Sequence, residues 1–215
     1  MLSYLLAGLI GSIIYARARA IEWEKAGWLG MSAMPAALGG ALAANWAPAA
    51  LLEGLIGVLT IACGLNALAA SPQHDSSDPP TISASALAGI GALTGFLSAA
   101  SGTGGPLILV PILLHLKLPV LTAVGLSQAI QVPIALVASA GNFASGTLDL
   151  ALGGLLSLGL AGGSWAGATL AHRFPRAFLH RTVCLLLIIV GASIATKLTL
   201  ELVSLKGFGI SARRS

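Results

Sequence analysis

From about residue 85 to residue 118 the chain is apolar, and one short stretch breaks it: Ser101-Gly102-Thr103-Gly104-Gly105-Pro106. Glycine costs a helix interior about 1 kcal/mol and proline about 3, so a helix cannot run through this stretch. Pro106 suits the first turn of a new helix, where its missing N–H is no loss. The pattern predicts a helix over residues 85–100, a bare-backbone turn, and a second helix over residues 106–116. The second helix would be near 17 Å long at roughly 1.5 Å per residue, too short for a hydrocarbon core about 30 Å thick. A re-entrant hairpin is expected, its tip at membrane depth and shielded by protein. The N–H groups of Thr103 to Gly105 and of Leu107 then point out of a helix N-terminus, which favours an anion. The hydroxyls of Ser101 and Thr103 stand beside them. The plainer alternative is a tight interhelical loop packed by its glycines.

The solvent follows from composition. Hydrophobic residues make up 56% of the 215 residues and charged ones 8%, with a mean hydropathy of +0.93. That balance excludes a soluble domain and predicts an all-α, polytopic membrane bundle. The net charge of +4 sits in short connecting stretches, so it reads as a topology signal rather than a nucleic-acid surface. No basic run is interleaved with aromatics, and no nucleic-acid partner is expected. Cys63 and Cys184 lie inside apolar segments without metal-ligand spacing and read as buried free thiols. Residues 2–14 followed by Ala18-Arg19-Ala20 imitate a signal peptide. The positive charges fall on the wrong side, however, and a retained helix is expected.

Further helices are expected over residues 2–16, 26–45, 49–70, 120–142, 150–172 and 177–197, about six spans in all besides the hairpin. Residues 71–83 form a polar linker between two halves, 1–70 and 84–200, and residues 201–215 form a mixed tail. Sliding the chain by 127 residues aligns those halves without a gap: Pro48 falls on Pro175, Gly27 on Gly154, Gly40 on Gly167, Gly64 on Gly191 and Ser12 on Ser139. Each half holds an odd number of crossings, so the copies face opposite ways, the inverted repeat of many secondary transporters. Arg17, Arg19, Lys25, Lys117, Arg173, Arg176 and Arg181 then share one face, expected to be cytoplasmic. Met1 aligns with Gln128, so the first half shows no counterpart of residues 85–127. That counterpart is expected upstream of residue 1, lost by shortening of the gene, or on another chain; a protein with a single hairpin is the remaining reading.

The run GALTGFLSAASGTGGPLILVPILLHLKLPVLTAVGLSQAIQ resembles the signature of the sulfite exporter TauE/SafE family, also called the toluene-sulfonate uptake permeases. The resemblance rests on Gly102-Thr103-Gly104-Gly105, the aliphatic run Leu107 to Pro111, and Ala123-Val124-Gly125-Leu126-Ser127 in the next helix. Pro106 stands where the pattern has the third glycine of its turn. The resemblance implies an inverted-repeat carrier of sulfur-containing anions such as sulfite or organosulfonates in the cytoplasmic (inner) membrane, with no enzymatic activity.

Candidate substrate-binding residues are Ser101, Gly102, Thr103, Gly104, Gly105, Ser127, Gln128 and Gln131. Ser127 and Gln131 share a helix face at i, i+4, and Pro133 frees a carbonyl close by. Polar side chains at lipid depth equally serve as interhelical bonds. Ser12 and Ser139 are expected to bond back to their own helices. Helix interiors carry no proton-relay acid and no buried cation. Neither a nucleotide-binding loop nor a catalytic set is present, so catalytic residues, metal and cofactor are all expected to be none. The expected partners are a small anionic substrate and the lipid bilayer, with a homo-oligomer or a second chain open. The competing reading is a non-transporting membrane subunit or remnant that completes another chain.

Overall fold

A computed structural model describes residues 2–44, 49–69, 82–144 and 150–211. Among them the regular structure is entirely helical: α1 (Leu2–Arg17), α2 (Trp23–Ala43), α3 (Ala49–Ala69), α4 (Ala84–Ser101), α5 (Gly105–His115), α6 (Val120–Ala144), α7 (Leu150–Ala171) and α8 (Arg176–Ser211). The glycine turn separates α4 from α5 within a residue of the positions that the Gly-Pro signal marks. The expected end of the last helix is wrong. α8 continues to Ser211 through the segment read as a mixed tail, because no proline stands between Ala177 and Ser211 to stop it. The polar linker lies outside the described residues, as does the side chain of Cys63; Cys184 is a buried free thiol.

Among the described residues, three helical stretches are long and apolar enough to cross a membrane: Ala84–Ser101, Val120–Gly141 and Ala177–Lys197. α2 and α7 dilute their leucines with glycine, alanine and serine, which lowers hydropathy but lets neighbouring backbones approach. The larger core cluster is built where α1, α2, α4, α5 and α6 meet, around Leu29, Leu109, Leu113, Leu126, Ile130 and Ile134. A smaller one joins Ile56 of α3 to Leu97 of α4 and Ile108 of α5.

The directions of the helices follow from their contacts. As α1 advances from Gly8 to Gly11 to Tyr15, its neighbours on α6 recede from Gln131 to Gln128 to Gly125. α1 and α6 are therefore antiparallel. α3 and α8 are antiparallel by the same test: Gly57 faces Gly191 and Ile194, whereas Gly64 faces Cys184 and Ile188. α2 runs parallel to α4, meeting it at Leu29 with Gly91 and at Ala33 with Gly95. α1 runs parallel to α7, tied by Ser3 Oγ to Gly153 O (3.4 Å) and by Ser164 Oγ to Ala7 O (2.8 Å). The 127-residue offset carries the first residues of α2 and α3 onto those of α7 and α8, and the last residue of α1 onto that of α6.

Charge collects at one end of this bundle. The carbonyl of Ala20 packs against Gly125, and the ring of Tyr15 lies 5.1 Å from that of His172. The α1–α2 connection, the start of α6 and the end of α7 therefore share an end, which carries Arg17, Arg19, Lys117 and Arg173. α1 and α5 stop there in the same way. Arg19 and Lys117 adopt positive φ (54° and 64°), while Ala20 and Leu118 donate back to Tyr15 O and Leu113 O, the six-to-one bond of a Schellman stop.

Candidate functional site

Two glycines with positive φ, Gly102 (70°) and Gly104 (81°), turn the chain between α4 and α5. An L side chain is strained at either angle. Gly102 caps α4 in the left-handed region, its N–H bonding Ser98 O. Gly104 is the N-cap of α5, Gly105 the first helical residue and Pro106 the second. No side chain caps this N-terminus. The N–H groups of Gly104, Gly105 and Leu107 thus have no helical partner, and the positive end of the helix dipole lies among them.

The turn sits inside the bundle rather than at its surface. Gly104 is buried against the ring of Tyr4, which a Cβ would meet at 3.1 Å; at Gly105 the nearest atoms are Gln131 Cα and Ser127 O, both at 3.7 Å. Ser127 and Gln131 lie roughly 10–17 Å along α6 from Val120 at 1.5 Å per residue, close to the middle of a 25-residue helix. The turn therefore lies level with the middle of α6. In front of the turn opens a groove of about 550 Å³, walled by α1 (Tyr4, Ala7), α5 (Pro106, Leu107, Val110), α6 and the facing sides of α7 and α8.

The eight residues singled out from the sequence divide. Thr103, Gln128 and Gln131 line the groove, while Gly104 and Gly105 are buried beside it, behind Tyr4 and α6. Ser101 and Gly102 stand behind. Ser101 donates to Leu97 O (2.6 Å) and pairs with Thr103 Oγ1 at 2.9 Å. Because the Ser101 proton is committed to Leu97, the Thr103 hydroxyl donates to Ser101 and presents lone pairs to the groove. Ser127 is fully buried, and its hydroxyl bonds Ala123 O of its own helix at 2.7 Å. Its carbonyl lies near Gly105, and Ser127 is not among the residues that line the groove.

The two glutamines differ. Gln131 Nε2 donates to Tyr4 O at 2.7 Å, which fixes its amide. Gln128 lies over Gly11, where a Cβ would meet its amide carbon at 2.8 Å, and its buried Oε1 has no partner among the described residues. Rotation of that amide presents either a carbonyl or an NH₂ to the groove. The hydroxyls of Ser12 and Ser139, expected to bond back to their helices, are instead buried without a partner among the described residues.

Sequence reasoning missed Tyr4, Ser164 and the leucine and valine wall from α7 and α8. Tyr4 was findable, since it is the residue 127 places before Gln131. The other wall residues carry no signal beyond apolarity. No Asp, Glu, Lys, Arg or His lines the groove, and among the described residues no group of His, Cys, Asp or Glu could hold a metal.

Antiparallel helix pairs around an interrupted helix at mid-depth define a multi-pass helical membrane protein. The chain belongs to the sulfite exporter TauE/SafE family, whose family model matches residues 1–194. That family consists of membrane transporters, not enzymes. No curated protein and no solved structure matches the chain.

Proposed function

We propose that the protein carries a small sulfur-containing anion, sulfite or a simple organosulfonate, across the cytoplasmic (inner) membrane by secondary transport, with the anion held at the α4–α5 turn. The observation that carries this reading is the uncapped N-terminus of α5 lying at mid-bundle beside a groove lined by no Asp, Glu, Lys, Arg or His. Oxyanions bind where unpaired backbone N–H groups converge at the positive end of a helix. The N–H groups of Gly104, Gly105 and Leu107 take the sulfur oxyanion, and the Gln128 amide supplies a further donor. An apolar substituent on the sulfur lies among Leu160, Leu186, Leu187 and Val190. Such coordination is weak beside a buried arginine, which suits a site that must also release. With no carboxylate in the groove, coupling by a titrating acid has no residue to act through. The end carrying Arg17, Arg19, Lys117 and Arg173 faces the cytoplasm by the positive-inside rule.

The test compares the two adjacent glycines. Gly104→Val puts a branched side chain at positive φ and into the Tyr4 ring, so binding of sulfite and of methanesulfonate should be lost. Gly105→Ala adds a Cβ at ordinary contact distance and should retain binding. Both are read by calorimetry on monodisperse protein in detergent. Wild-type affinity in Gly104→Val would remove the turn as the site.

A further inference from the structure

One side chain stands between the glycine turn and the groove. Of the residues whose N–H groups have no helical partner, Leu107 lines the groove, while Gly104 and Gly105 are buried. What covers Gly104 is Tyr4: a Cβ built on that glycine would meet Cδ1 and Cε1 of the ring at 3.1 Å and Cγ at 3.4 Å. The edge of the ring therefore lies against the N-cap of α5. Gly105 is covered by Ser127 and Gln131 of α6. Tyr4 is also a wall of the groove, so it borders both the space an anion enters and the donors that the anion needs.

The main chain around Tyr4 is tied down on both sides. Gln131 Nε2 donates to Tyr4 O at 2.7 Å, Ser164 Oγ donates to Ala7 O at 2.8 Å, and Gly8 packs against the side chains of Gln131 and Val132. Tyr4 itself is only partly buried, and the groove beside it encloses about 550 Å³, room enough for one tyrosine ring. Rotation about χ1 carries a ring from one staggered position to another while the main chain stays in place. We propose that Tyr4 gates the anion site, a reading that rests on the anion being held at the α4–α5 turn. In the arrangement seen here the ring closes the turn against the groove. Swung into the groove, it uncovers Gly104, and the oxyanion fills the space it leaves. Ring and anion thus compete for one place. The apparent affinity of a site falls with the fraction of molecules in which it is open. Removing a gate therefore tightens binding, whereas removing a residue that only packs, or that holds the anion, does not.

The test follows Tyr4 in the full chain in detergent, with methanesulfonate as the probe. The chain has two tyrosines, Tyr4 and Tyr15, so fluorotyrosine labelling gives two fluorine resonances, assigned with Tyr15→Phe. Saturating methanesulfonate should move the Tyr4 resonance and leave that of Tyr15 in place, a measurement that needs no variant at position 4. In Tyr4→Ala without ligand, amide hydrogen exchange over residues 102–107 should speed up about tenfold. The same variant should bind methanesulfonate about tenfold more tightly by calorimetry. Tyr4→Phe keeps the ring and should match the wild type in both. Unchanged or weaker binding by a folded Tyr4→Ala would overturn the gate and leave the turn standing as the site. So would a Tyr4 resonance that does not move while the wild type binds the probe. If neither the wild type nor Tyr4→Ala binds methanesulfonate, the anion site itself falls, and the gate with it.

Discussion

Gly40 and Gly167 occupy equivalent places in α2 and α7 and lead opposite lives. Gly40 lies beneath the Phe96 carbonyl with no room for a Cβ, whereas Gly167 faces open space. The residue is the same, and so is its position in the helix; what differs is the neighbour. On α2 the missing side chain lets α4 approach to backbone distance and is essential to packing. On α7 it meets nothing among the described residues and weakens the helix by the usual glycine penalty. A glycine in a membrane helix permits a close approach, and of these two the described residues use the one on α2.

The largest expected effect separates those two glycines directly. Gly40→Leu should cost about 3 kcal/mol or more, at or beyond the top of the overpacking range, because the obstruction is backbone and cannot rotate away. Gly167→Leu in the chain alone should stay within about 0.5 kcal/mol of wild type. Thermal unfolding in detergent measures both, and equal effects would break the comparison. Alanine sharpens it. Gly91→Ala and Gly95→Ala on α4 should destabilise, while Gly159→Ala and Gly163→Ala should each stabilise by roughly 0.5–1 kcal/mol through helix propensity. Where the halves meet, Gln131→Leu removes the bond to Tyr4 O and should cost about 1 kcal/mol. Ser127→Ala should change stability and anion binding least, by under ~0.5 kcal/mol, since that hydroxyl only returns to its own helix. A large loss of binding in Ser127→Ala would show that the hydroxyl turns toward the groove.

The interrupted helix was legible because its signals are local. Three glycines and a proline within five residues stop one helix and start another whatever surrounds them, so residues 101–106 could be placed with nothing else known. Gln128 and Gln131 were legible as the rare polar residues of an apolar helix. The serines were not, because a hydroxyl at lipid depth can return to its own carbonyl, as Ser127 does, or stand unpaired, as Ser12 and Ser139 do. Tertiary packing decides between them. Nor could the sequence mark Leu160, Leu186 or Val190 as groove walls, since an apolar residue looks the same whether it faces lipid, a neighbour or a cavity. The overlong α8 escaped for the opposite reason: residues 198–211 look less apolar, yet no proline stands in them to stop the helix.

The bond from Gln131 to the carbonyl of Tyr4 joins a residue to its own equivalent, 127 places away. Two equivalent points can touch only where the axis relating them passes, so this bond marks that axis. It also has a sense: the amide gives and the main chain of Tyr4 receives. If the two sets of helices exchanged arrangements, Tyr4 would have to donate to Gln131 O. Its phenol sits at the far end of a ring lying against Gly104 and cannot copy a primary amide. The two arrangements then differ in energy at the point about which they interchange. Any interchange of the two halves would thus meet an asymmetry at this one mismatched pair.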